Sequence, residues 1–474
     1  MNRFFPLILT LVALLGLMLP SCISDGITTS SSAILAFSRD TVNFDTVFTD
    51  LGTPTARLIV FNNNKKGVEI SSIRLKNPDS RFSINVDGQS GKVFSDIEIR
   101  GNDSIYVFIE CFIPPTESAD PSLVEDDLLF VTNGVTQQVR LEAYGQNVTR
   151  LRARRISEDT TLPTDRPIVV FDSLVVEKGV TLRILPDTRL LFHDGAEMIV
   201  HGRIEAVGEA GRFIQMRGDR LDNVLPNVGY DILAGQWKGI RITESSFDNR
   251  LEYIDMRSTM SGLTLDSCAD LSRRKLLIRD SWLHNSQGSV LSAKYSKVDA
   301  YGCCFSEAAG AVVDLTGGEF DFVQCTFANN YLFSAISSPI VSLYHLLPAH
   351  QDQNPLPLMK ANFENSIIYG LAADLNEGDL TGSDVFFRNV SLKSEGNDDD
   401  NFISCLWDTD PLFLTIRSDY YFNYHVQTDS PVIGMGNPSY VNQESLFDMD
   451  GVNRLSDGNP VLGAYARPET PVKE

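Results

Sequence analysis

The chain of 474 residues is longer than one compact core usually takes, so several domains or one elongated repeat body are expected. With 43% hydrophobic and 22% charged residues, its composition is that of a folded protein and not of a disordered one. A net charge of −22 argues against a nucleic-acid partner, because binding phosphate needs a basic face; the one basic knot, Arg150, Arg152, Arg154 and Arg155, is short.

Residues 1–22 read as a targeting segment, with Arg3 as a positive start and an apolar stretch, Phe4 to Leu19, too short to span a bilayer comfortably. They end in Leu19-Pro20-Ser21-Cys22, which resembles a bacterial lipobox. That resemblance implies that Cys22 is lipidated and that the protein is exported and held at a membrane, the outer membrane or the cell surface. The Ser/Thr-rich residues 23–32 suit a flexible tether behind such an anchor. Cys111, Cys268, Cys303, Cys304, Cys325 and Cys405 remain, an even set that permits disulfides in an exported chain. No CxxC pair or Cys/His spacing among them points to zinc.

Residues 33–147 are dominated by period-two alternation, the mark of half-buried strands, as in Phe82, Ile84 and Val86 or Ile105, Val107, Ile109 and Cys111. Asn133-Gly134 separates two such runs and predicts a hairpin. About seven runs fit a β-sandwich. Phe44-Asp45-Thr46-Val47, Leu58-Ile59-Val60-Phe61-Asn62 and Ile70-Ser71-Ser72-Ile73 are similar to the Ig-like domains of bacterial surface proteins. That likeness implies a spacer or binding module.

A polar linker is expected over residues 148–165, and residues 166–474 follow a different pattern of short apolar runs without helical period. Here an internal repeat appears. Leu276, Val298 and Phe320 are 22 residues apart, as are Ile278, Ala300 and Phe322, Ser281, Cys303 and Cys325, and Leu283, Phe305 and Phe327. Gly239-Ile240 and Gly262-Leu263 continue the series with a step of 23. A unit this short holds about three strands, one rung of a parallel β-helix, whose rungs stack about 4.8 Å apart with equivalent side chains in columns. One large interruption, residues 331–360, is expected as an excursion.

Gly179-Val180-Thr181-Leu182-Arg183-Ile184, Gln236-Trp237-Lys238-Gly239-Ile240 and Cys325-Thr326-Phe327-Ala328-Asn329-Asn330 resemble right-handed parallel β-helix proteins of the pectate-lyase-like superfamily. So does the closing pattern Asp410-Pro411-Leu412-Phe413, Ser430-Pro431-Val432-Ile433, Asp450-Gly451 with Arg454, and Gly463-Ala464-Tyr465. The resemblance implies an all-β fold over about two thirds of the chain. Because the superfamily mixes lyases, hydrolases and adhesins, it says little about activity.

Candidate sites are sparse. Asp299 and Asp321 share a repeat position and so fall on neighbouring rungs, where two carboxylates could hold a cation such as calcium or touch substrate. Leu277 precedes them in the column, so no third carboxylate extends the pair, and an outward, solvated column is the better reading. His345 and His350 lie in the 331–360 excursion, which could wall a groove. No histidine has a partner at catalytic spacing. Trp282 and Trp407 could stack on sugar rings, whereas Trp237 suits a core. Asp398-Asp399-Asp400 reads as an exposed loop without calcium-ligand spacing. Cys303 and Cys325 read as an inward column of small residues, with a disulfide between rungs as the sharper alternative. Thr41, Thr46, Ser104, Thr160 and Ser173 each follow an Asp and precede an apolar residue or Thr, similar to the acceptors of a bacterial periplasmic O-glycosylation system.

The expected function is a non-enzymatic envelope lipoprotein whose β-helix serves as a binding, adhesive or structural module. Its expected partners are the membrane, through the anchor, and a polysaccharide or other surface component. No cofactor is expected beyond a candidate calcium ion. The alternative is a polysaccharide lyase or glycoside hydrolase. Three or more acidic or basic side chains converging on one face would favour the enzyme, and no such cluster is visible in the sequence.

Overall fold

The computed structural model describes residues 26–225, 228–268, 270–343, 360–376, 380, 383–415 and 421–468; Cys22, His345 and His350 lie outside them. The chain divides into two units, Met1–Asn147 and Val148–Glu474.

In the first unit the alternating runs become two sheets. One places Ala36–Phe37, Ala56–Asn62, Asp103–Cys111, Phe82–Val86 and Gln89–Gly91 side by side, all antiparallel. The other runs Thr41–Phe48, Val135–Gln146, Ser122–Thr132, Val68–Leu75 and Val93–Phe94, with the first two parallel and the rest antiparallel. Alternation sends Leu58, Val60, Ile70, Val107, Phe130 and Leu141 into a core where each is fully buried. The expected hairpin forms with Thr132 opposite Val135, and Asn133 and Gly134 take positive φ of 50° and 78°, as a two-residue type I′ turn requires. Part of the expected tether is ordered, since Ile27 bridges to Gly67 and the Thr28 amide donates to the Gly67 carbonyl at 2.8 Å.

The second unit is built from parallel ladders. A 16-stranded sheet has two limbs joined by the long strand Ile168–Val176, and a separate 10-stranded sheet runs from Thr160–Thr161 to Phe402–Ile403. This arrangement is consistent with a parallel β-helix solenoid. The 22-residue repeat is the ladder register itself: Leu276 faces Val298, which faces Phe320, and Leu283 faces Phe305, which faces Phe327.

Stacking aligns like side chains along the interior. Phe322, Phe363, Phe387 and Phe402 form a column of near-parallel rings with centroids 5.1, 4.7 and 4.8 Å apart. Trp237 is fully buried and stacks on Phe192 at 3.9 Å. The recurring glycines have a steric cause. Gly239 has φ +114°, and a Cβ there would come within 2.1 Å of the Gly262 carbonyl oxygen on the next rung.

The linker expected over residues 148–165 is instead the start of this unit. Thr149–Ile156 pairs in parallel with Ile168–Val176, and Thr160–Thr161 pairs with Thr181–Ile184. An end rung has a neighbour on one side only, so it tolerates the exposed Arg150, Arg152, Arg154 and Arg155 that made the segment look like a loop. Arg152 pairs with Asp172 at 3.2 Å.

Candidate ligand-binding cleft

Two outward-facing columns on one limb of the long sheet change character along the body. The first passes from Gln215 to Asp255, Trp282, Cys304, Thr326 and Ile367. The second passes from Arg257 to His284, Ser306, Ala328 and Tyr369. The later rungs thus present apolar side chains to the outside, and the chain beyond them folds back over that surface. Phe413, Phe422, Tyr424, Val426, Val432 and Leu462 pack with Cys304, Ala328 and Ile367 in one buried cluster.

The closing sequence pattern holds this C-terminal segment in place. Arg454, 4% exposed, donates to the carbonyls of Gly463 and Ala464 at 3.1 and 2.7 Å. Asp448 accepts from the amides of Asp450, Val452 and Ala466 at 3.0, 2.8 and 2.7 Å.

Where the face becomes charged, the C-terminal segment leaves a cleft of about 440 Å³. It is lined by Asp187, Gly211, Phe213, Gln215, Asp255, Trp282, His425, Met449, Asp450 and Tyr465. Four aromatic rings and three carboxylates therefore meet in one place. No Lys or Arg belongs to the lining among the described residues.

Each carboxylate is positioned by a partner. Asp255 is bonded to His284 Nε2 at 3.1 Å and to Arg257 at 3.1 Å. Burial pushes the Asp255 carboxyl up, but Arg257, helped by His284 and Arg217, outweighs it and holds the group below its ordinary range. Burial also lowers His284, against the pull of Asp255. Behind them Asp231 takes Arg257 at 3.0 Å, Arg217 at 3.6 Å and the Tyr421 hydroxyl at 2.8 Å. On the opposite wall His425 Nε2 lies 2.7 Å from Asp450, and the His425 ring stacks on Tyr465 at 3.8 Å. Trp282 stacks on His284 at 4.0 Å and donates from its indole nitrogen to Ser306 at 3.0 Å. Asp187 pairs with Arg212 at 2.8 Å.

Of the candidate site residues, Trp282 lies in this cleft, whereas Asp299, Asp321 and Asp398 are not part of its lining. Asp299 and Asp321 do face each other across adjacent rungs, flanked by Leu277 and Asn362. They are not the open column expected. Asp299, with its side chain 14% exposed, pairs with Arg274 at 2.9 Å, and Asp321 accepts from Asn362 at 2.6 Å. Asp398 is occupied by the amides of Ser404 and Cys405 and by the Trp407 indole, at 2.7, 3.1 and 3.2 Å. Among the described residues, no group of three or more His, Cys, Asp or Glu is placed to hold a metal ion. Thr41, Thr46, Ser104, Thr160 and Ser173 are all half-buried. Asp45 and Asp172, which precede two of them, have φ of 56° and 63° and lie inside the strands Thr41–Phe48 and Ile168–Val176, where the ladder register shifts as at a β-bulge.

Sequence analysis missed Asp187, Gln215, Asp255, His425 and Asp450 as a group. The column positions 215, 255, 282 and 304 are separated by 40, 27 and 22 residues, so unequal turns erase the period. The opposite wall comes from a segment that returns from beyond the repeats.

No family model matches the chain, and no curated protein is similar to it. Two weak likenesses are among those found in solved structures. One is a protein of unknown function from Porphyromonas gingivalis W83, with 10% identity, TM-score 0.19, and 26% of this chain and 60% of that one covered. The other is a family 123 glycoside hydrolase from Clostridium perfringens, with 12% identity, TM-score 0.17, and 24% and 26% covered. The chain spans less than two thirds of either, and at these scores neither likeness carries fold or function across.

Proposed function

We propose that this is an exported lipoprotein, anchored through Cys22, whose Val148–Glu474 unit is a right-handed β-helix of the pectate-lyase-like kind that binds a glycan in the cleft beside Trp282. The first unit would then be an Ig-like spacer. The observation that supports glycan binding is the joint lining of the cleft by aromatic rings and carboxylates. Rings such as Trp282 and Tyr465 offer flat apolar faces to the C–H face of a sugar, while Asp187, Asp255, Asp450 and Gln215 accept from or donate to its hydroxyls. A lining with three carboxylates and, among the described residues, no Lys or Arg suits neutral sugars better than uronic acids.

A second reading is a glycoside hydrolase, favoured by the presence of more than one carboxylate in a single cleft. Screening residues 26–474 on a glycan array, with analysis of products, separates the two. Retention of a neutral glycan with no product supports the binding module, and a shortened product lost in Asp255→Asn supports the hydrolase. Absence of any glycan ligand would overturn both. The anchor is tested separately: Cys22→Ser should move the protein from the membrane fraction to the soluble pool, and unchanged retention would contradict it. O-glycans at Thr41, Thr46, Ser104, Thr160 and Ser173 belong to this proposal and are readable by intact mass.

A further inference from the structure

Cys303 and Cys325 occupy the same place on adjoining rungs. Tyr301 faces Val323 on one side of them and Cys304 faces Thr326 on the other, so the two cysteines are in register. The backbone is stitched across the pair, with the Gly302 amide donating to Val323 at 3.0 Å and the Thr326 amide to Cys303 at 2.9 Å. Both side chains are fully buried. Both also point the same way. Cys303 Sγ donates to the Tyr301 carbonyl at 3.3 Å and Cys325 Sγ to the Val323 carbonyl at 3.5 Å, each two residues back. The same column places Ser281 and Ser366, whose hydroxyls make the same bond to Arg279 and Glu364 at 2.7 and 2.8 Å.

A hydroxyl therefore serves this position as a thiol does, and two adjoining thiols have in addition the capacity to form a covalent bond that hydroxyls lack. Neighbouring strands lie about 4.7–4.9 Å apart. That spacing falls inside the roughly 4.4–6.8 Å between Cα atoms that a disulfide accepts. Cys304 does not compete, because it faces outward into the cluster under the C-terminal segment while Cys303 and Cys325 belong to the interior core. Burial raises the Cys303 thiol well above its ordinary value, and Cys325 beside it adds to the rise.

We infer that Cys303 and Cys325 form a disulfide between successive rungs in the exported protein, closing a 22-residue loop. The inference rests on the export proposed from residues 1–22. A thiolate of one cysteine attacks the disulfide of an oxidising thiol–disulfide partner, giving a mixed disulfide and releasing one partner thiolate. The thiolate of the other cysteine then displaces the second partner sulfur. The S–S bond forms, and the partner takes up the two electrons as two thiolates, which regain from solvent the two protons that the cysteines released and leave it as its dithiol. Because the folded rungs bury both sulfurs, exchange precedes closure of this part of the body.

The test uses the full-length protein recovered from cells, denatured and alkylated without prior reduction, then cleaved after acidic residues. Glu307, Asp314 and Glu319 lie between the two cysteines, so their peptides separate unless they are bridged. The expected result is one linked species, two hydrogens lighter than its separate peptides, with Cys111, Cys268, Cys304 and Cys405 alkylated. In Cys325→Ser the Cys303 peptide should become alkylated. A second arm refolds the reduced full chain in oxidised glutathione, which supplies the oxidant regardless of where cells place the protein. Linkage in the glutathione arm alone would show that the pairing stands and the export reading fails. Alkylation of both cysteines in both arms, or linkage of either to a different cysteine, would overturn the inference.

Discussion

Tyr424, in the returning C-terminal segment, donates its phenolic hydrogen to Glu307, a fully buried carboxyl on the rung ladder beneath it. Their contact ties the segment to the body, and it costs Glu307 its solvation. Burial pushes the Glu307 carboxyl from 4.5 up to about 7, against hydrogen bonds from Ser306 and Tyr424.

A raised carboxyl binds more protons when folded than when unfolded, so its contribution to stability is complete at low pH and falls as pH climbs from 4.5 to about 7. The fall is on the order of 3 kcal/mol for a shift of this size. Glu307→Gln should flatten the decline in denaturant-unfolding stability across that window. It should not abolish it, because burial also raises Asp280 to about 7. A variant that keeps the full slope would show that Glu307 is not the titrating group.

Arg454 should be indispensable to the C-terminal segment. Its guanidinium is buried, and burial lowers its pKa while Asp448 and Asp280 oppose that. Arg454→Met removes the bonds to Gly463 and Ala464 and the positive charge near Asp448 and Asp280, of which Asp280 keeps Arg279 at 3.4 Å, a loss of about 3–5 kcal/mol. Limited proteolysis should then release the segment after residue 410 while the parallel-strand body resists. A cleavage pattern identical to the parent's would contradict the role given to Arg454.

The interior and outer columns should respond unequally to charge. Phe305 is fully buried and stacks on Phe327 at 5.5 Å, so Phe305→Asp places an unpaired carboxylate in the core and should cost more than about 4 kcal/mol. Asp299→Asn loses only a pair with the partly exposed Arg274 and should cost about 0.5–1 kcal/mol. Melting temperatures of the two variants check this; equal shifts would mean that the inward and outward faces are assigned wrongly.

The body was legible in the sequence because a stacked rung must repeat its inward side chains. Leu276, Val298 and Phe320 face one another in the structure at the very positions their spacing assigns. The cleft was not legible, because nothing periodic relates Asp255 to Asp450. The first lies where the outward column turns from apolar to charged, and the second arrives on a segment whose docking depends on the buried contacts of Arg454, Asp448 and Tyr424. His425 and Asp450 are 25 residues apart and become partners only when that segment is in place. The first rung was hidden for another reason: its outward arginines mask a strand whose inward positions are few.

The most direct test of glycan binding in this cleft is calorimetric titration of the array-selected neutral glycan into the parent and into Trp282→Ala. Losing a stacking platform should weaken binding roughly tenfold or more, about 1.4 kcal/mol. The melting temperature should change by only a few degrees, since Trp282 is half-buried at the cleft wall. Equal affinity in the two proteins would contradict the account and place the binding surface elsewhere.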